Sequence, residues 1–76
     1  MIEPRFAGDV LRDAARSWNI SPEQILGPKR DVRTCAARWA VMHALDDLGW
    51  SSVKIGQFLN RDHTTVLHGL GRLRRQ

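Results

Sequence analysis

Apolar residues recur along this chain at intervals of three and four, and no stretch alternates with period two, so helices are predicted and strands are not. Val10, Leu11, Ala14, Ala15 and Trp18 form an i, i+4 stripe that predicts a first helix from about Ala7 to Trp18, ended by Asn19. Ser21, Pro22 and Gln24 make a helix start of the Ser-x-x-Gln type. The serine oxygen accepts an orphan N–H, proline suits the first helical position, and the glutamine side chain can reach back. Gly27 and Pro28 stop that helix early, and Pro28 to Arg33 reads as a basic loop with no apolar face. The longest helix is predicted from Thr34 to Leu48, with Ala37, Val41, Ala44, Leu45 and Leu48 on one side and His43, Asp46 and Asp47 on the other.

Gly49 closes that helix, and Ser51 is a good N-cap for a short one carrying Val53, Ile55, Phe58 and Leu59. Asn60 and Arg61 then predict a tight turn, with Asp62 capping a last helix. Along it Val66, Leu70 and Leu73 stack on one face with Leu67 beside them, while Thr64, His68, Arg72 and Arg75 fall opposite and Thr65 flanks them. A short helix, a tight turn and a second helix with an apolar inner face and a basic outer face is the layout of a helix-turn-helix, here at about residues 51–74. The fold class expected is all-α: a small helical domain of about five helices with a C-terminal helix-turn-helix.

Size narrows this to a single domain over residues 1–76. A chain this short buries only about 60% of the surface it exposes when unfolded, yet 42% of its residues are hydrophobic, well above what disordered segments show. No run of about 18 apolar residues occurs, and the opening residues MIEPRFAGDV lack the apolar stretch of a signal peptide, so a soluble, cytoplasmic protein without membrane contact is expected. Cys35 has no partner for an intrachain disulfide and reads as a small hydrophobe among alanines.

Charge then points toward a partner. Twelve Lys and Arg against eight Asp and Glu give +4 and a pI near 10.6, which favours a polyanion. Lys29, Arg30, Arg33 and Arg38 crowd one segment, Arg61, Arg72, Arg74 and Arg75 another, and most acids lie elsewhere. If the two segments meet, they form one positive face; a merely solvated basic surface is the alternative.

The stretch RDHTTVLH, residues 61–68, carries the chemistry. At the head of a recognition helix Asp62 can cap and also accept from a cytosine amino group, while His63 and Thr64 offer hydrogen bonds to base edges and a Thr methyl can meet a thymine methyl. Arg61 suits a phosphate or a guanine, and Thr65 suits packing or capping. As an enzyme, Asp62 and His63 with a threonine nucleophile would need a third group, and neighbours on a helix point about 100° apart. A zinc site from Cys35, His43, His63 and His68 lacks paired ligand spacing, so no metal, no cofactor and no catalysis are expected.

The string IGQFLNRDHTTVLHGLGRL, residues 55–73, resembles the signature of the C-terminal DNA-binding domain of the bacterial replication initiator DnaA: an Ile-Gly, a short spacer, then Arg-Asp-His-Thr-Thr-Val. WNISPEQILGPKR is similar to that family's short second helix and basic loop, and AARWAVMHAL to its long central helix. The resemblance implies sequence-specific binding of double-stranded DNA bearing an A/T-rich nonamer, in replication initiation or transcription. It puts Asp62, His63 and Thr64, with Thr65 beside them, on bases in the major groove. Lys29, Arg30 and Arg33 would face the backbone or minor groove, and Ser51 or Ser52 a phosphate; Arg61, His68 and Arg72 are candidates for the backbone as well. Two departures stand out: the family often has a spacer one residue longer with two glycines where this chain has only Asn60, and the loop here carries Asp31 and fewer arginines.

No G-x-x-x-x-G-K-S/T phosphate loop occurs, so no nucleotide partner is expected, and the chain reads as an excised domain or a small stand-alone regulator of chromosomal, phage or mobile-element origin. Replication or transcription proteins are further partners consistent with the resemblance. No heptad seam is present, which favours a monomer, with a dimer through Trp39 or Trp50 left open. The rival function is a protein-interaction module that uses the basic helical face without reading DNA.

Overall fold

The computed structural model describes residues 4–71 as five helices, α1 (Pro4–Trp18), α2 (Pro22–Leu26), α3 (Val32–Asp47), α4 (Ser52–Leu59) and α5 (His63–Gly69), with no strand among them. Arg72, Leu73, Arg74 and Arg75, expected on the two faces of the last helix, lie outside the described residues. α1 begins earlier than its apolar stripe suggests because Pro4, with its preset φ and no N–H to satisfy, takes the first helical position.

Ala7, Leu11, Ala14 and Ala15 bury the inner stripe of α1, whereas Trp18, expected on the same stripe, is 39% exposed. α3 is the spine and packs against all four other helices. Its buried stripe runs Thr34, Ala37, Arg38, Val41, Met42, Leu45, at the three-and-four spacing of a core-facing helix. The predicted stripe is thus rotated: Ala37, Val41 and Leu45 are fully buried as expected, Ala44 is half-buried, and Leu48 sits 39% exposed at the C-cap. Ile25, Ile55, Leu59 and Val66, each without exposed surface, bring α2, α4 and α5 into the same core. Trp50 closes one end, edge-on to Phe58 with ring centroids 5.9 Å apart and with the Lys54 ammonium 4.4 Å from its ring centroid.

Three helices end the same way. At α1 the N–H of Asn19 donates to Arg16 and that of Ile20 to Ala15; at α3 Gly49 donates to Asp46 and Trp50 to Leu45; at α4 Asn60 donates to Gln57 and Arg61 to Gly56. These are paired 5→2 and 6→1 closures, which need a residue in the left-handed region. Asn19 (φ 57°), Gly49 (φ 93°) and Asn60 (φ 58°) supply it.

The starts are capped as unevenly as their sequences differ. Ser21 accepts from the N–H of Gln24 and Ser51 from that of Lys54, both as expected. The Gln24 amide, expected to reach back to its own helix start, instead donates to the Thr34 hydroxyl at 2.6 Å and joins α2 to α3. α3 starts at Val32, two residues before the predicted start, because Asp31 is its N-cap and accepts from the N–H of Thr34. Arg33 therefore belongs to the first turn of a helix and not to a loop.

Candidate nucleic-acid interface

The helix-turn-helix is built around a tight turn that local chemistry forces. Asn60 adopts φ 58°, ψ 45° and lets the chain fold back so that the Arg61 N–H reaches the Gly56 carbonyl at 2.8 Å. That approach excludes a side chain at position 56, where a Cβ would stand 2.5 Å from the Arg61 carbonyl oxygen. The asparagine does the conformational work that glycines do in the longer spacer, so this departure leaves the turn intact.

α5 is anchored by Val66, fully buried, and by Gly69, whose missing side chain lets the helix close on α3; a Cβ there would meet Met42 Sδ at 2.6 Å and Trp39 Cδ1 at 3.1 Å. With its rear face fixed in this way, Asp62, His63, Thr64, Thr65 and His68 are all exposed. Asp62 occupies the N-cap position with extended backbone but makes no side-chain cap bond. Its carboxylate lies 3.3 Å from His63 Nδ1 instead. The expected cap is therefore absent at this helix alone among the four whose N-caps fall within the described residues, and its polar head is exposed.

The basic loop meets this head across a groove of about 630 Å³, lined among others by Arg30, Cys35, Trp39, Asn60, Arg61 and Thr65. Lys29, Arg30 and Arg33 are exposed as anticipated. Arg38, counted with them in the sequence, is not part of a positive surface: it is 5% exposed and donates from Nε to the Ile25 carbonyl (2.9 Å) and from Nη2 to the carbonyls of Gly27 and Lys29 (3.0 Å each). Burial pulls its pKa down, and the like charge of Arg61 adds to that. Arg61 is also turned inward. Its Nη1 donates to the carbonyls of Leu59 and Asn60 at 3.2 and 3.1 Å, and its Nη2 to that of Gly27.

Ser51 and Ser52 stand at the start of α4, where Ser51 is exposed and already caps the helix through its oxygen. Two residues here were not assigned to this interface from the sequence. Lys54 places a cation one turn from Ser51, above the Trp50 ring; its signal was its place as the one basic residue of α4. Trp39, 52% exposed on the groove and named from the sequence only as an open dimer contact, joins this interface only because α5 crosses beside it. Among the described residues no cluster of three or more His, Cys, Asp or Glu is placed to hold a metal ion, and no helix is long and apolar enough to cross a membrane.

A capped helix, a left-handed turn and a second helix pinned at its rear with an open polar head define a helix-turn-helix domain. Sequence comparison identifies the lineage: residues 8–72 match the family described as bacterial dnaA protein helix-turn-helix. The chain is 36% identical over 69 residues to the chromosomal replication initiator protein DnaA of Deinococcus deserti, an alignment covering 90% of this chain and 15% of that protein. It is 39% identical over 69 residues to the protein of the same name from Thermomicrobium roseum, covering 88% of this chain and 15% of the relative. No solved structure matches. The chain belongs to the family of the DNA-binding helix-turn-helix of bacterial DnaA, and it spans about 15% of the length of these relatives.

Proposed function

We propose that this domain reads double-stranded DNA by sequence, with the head of α5 in the major groove and the basic loop on the adjoining backbone or minor groove, in the service of replication initiation. The observation that carries this reading is the uncapped, exposed head of Asp62, His63, Thr64 and Thr65 on a helix whose opposite face is fixed by Val66 and Gly69. Rigid backing matters because a base contact discriminates by about 1–3 kcal/mol only when its donor or acceptor is held in place. Lys29, Arg30 and Arg33 supply the phosphate contacts that set affinity and its salt dependence, with Ser51, Ser52 and His68 around them.

Fluorescence-anisotropy titrations against a duplex with the family's nonamer and a scrambled duplex, at two salt concentrations, test the reading. Preference for the nonamer is expected, with affinity falling steeply as salt rises. Equal binding of both duplexes refutes the sequence reading, and no binding at either salt favours the protein-interaction alternative. Within the same assay, His63→Ala or Thr64→Ala is expected to flatten the preference by about 1–3 kcal/mol while sparing non-specific binding. Arg30→Ala is expected to weaken both duplexes alike and to shallow the slope of log K against log salt by about 0.9.

A further inference from the structure

The Gly27 carbonyl accepts from two guanidinium groups at once, Arg38 from α3 and Arg61 from the turn of the helix-turn-helix. A carbonyl oxygen has two lone pairs, so this one is saturated by the pair. Arg38 also fixes the carbonyls on either side, Ile25 and Lys29, and so holds residues 25–29 as a single strip. Arg61 ties that strip to the last carbonyls of α4, Leu59 and Asn60, which a helix C-terminus leaves without intrahelical donors. The bridge spans 34 positions in sequence and joins the two parts that the proposed function needs in register, the loop bearing Lys29 and Arg30 and the head beginning at Asp62. Two like charges are brought close to make it, a cost that carbonyl dipoles offset and that a residue free to bind phosphate would not incur.

We propose that Arg61 is a positioning residue that sets the distance between the basic loop and the reading head, and that it acts on DNA through the loop and not by touching phosphate or base. The inference rests on the DNA-reading function proposed above. Lysine at this position keeps the charge but offers one compact ammonium in place of a planar fork, so it cannot reach the Gly27 carbonyl and the Leu59 and Asn60 carbonyls together.

The test is a double-mutant cycle on nonamer binding with the parent chain, Arg61→Lys, Arg30→Ala and the double variant, each assayed well below its melting temperature. Arg61→Lys is expected to weaken nonamer binding about tenfold despite the retained charge, and Arg30→Ala, costly in the parent, to cost little more in the Arg61→Lys background. A purely structural loss, or a direct phosphate contact, gives effects that multiply; that result, or unchanged binding by Arg61→Lys, overturns the proposal. Should the lysine variant fail to fold, side-chain NMR of the parent decides: Arg61 guanidinium protons are expected to be protected in the free chain as much as in the complex, and protection gained only on adding duplex overturns it. A parent that binds neither duplex removes the DNA reading and this inference together, whereas a parent that binds normally alongside multiplying losses removes the inference alone.

Discussion

The hydroxyl of Thr34, with no exposed surface, donates to the Asp31 carboxylate at 2.6 Å and accepts from the Gln24 amide at 2.6 Å. That bond is the main cause of the lowered pKa of Asp31; partial desolvation opposes it, and the Thr34 N–H and the charge on Lys29 reinforce it. A carboxyl lowered in the folded state contributes stability that is complete above its unfolded value near 3.9 and is lost as pH falls through the lower folded value. Asn at position 31 keeps an acceptor and loses the charge. Thermal melts of the parent and Asp31→Asn from about pH 7 to about pH 2.5 are therefore expected to differ most near neutrality and to converge in acid. A constant gap would remove Asp31 from the acid response. The two glycines of closest approach separate in the same way. Gly56→Ala drives a Cβ into backbone and is expected to cost about 2 kcal/mol or more, whereas Gly69→Ala presses on the fully buried Met42 side chain, a clash that the better helix propensity of alanine partly offsets, and is expected to cost less, about 1 kcal/mol, in urea melts.

At the level of helices, ends matter more than middles. Ser21, Ser51, Gly49 and Asn60 act on groups within a few residues of themselves, which is why the starts of α2 and α4 and the turn were legible in the sequence. Thr34, Arg38 and Arg61 were not, because they are polar residues in or beside an apolar stripe whose partners lie up to 34 positions away. Asp31 read as a foreign charge in a basic loop for the same reason; only the path of the loop shows that it starts α3. The head of α5 was legible as chemistry, yet the loss of its expected cap was not, since Asp62 turning toward His63 is a choice of rotamer. This contrast is open to measurement. Ser51→Ala is expected to lower stability by about 1 kcal/mol, while Asp62→Ala, with no cap bond to lose, leaves the melt unchanged and shows its effect only in the preference for the nonamer. Equal destabilisation by both would mean that Asp62 caps in solution.

Across the whole molecule, stability and binding draw on different forces. The core from Ala7 to Val66 and the carbonyl bonds of Arg38 are indifferent to screening, and the Asp9–Arg12 ion pair and the Asp62–His63 contact are exposed. The proposed DNA contacts by Lys29, Arg30 and Arg33 are electrostatic. Raising salt from about 50 to about 200 mM is therefore expected to weaken the complex at least tenfold while moving the melting temperature of the free chain little. A parallel loss of both would place surface charge among the supports of the fold.

The three tryptophans have three different fates: Trp50 is 9% exposed in the core, Trp18 is 39% exposed at the end of α1, and Trp39 is 52% exposed on the groove between loop and head. A ligand that spans loop and head must cover the third, and it leaves Trp18, which lines no part of that groove, outside its footprint. The protein thus carries its own optical gauge of occupancy: indole emission from Trp39 is expected to shift or quench as duplex is added, against a steady signal from Trp18, and Trp39→Phe to remove the largest part of the change without any label having been attached.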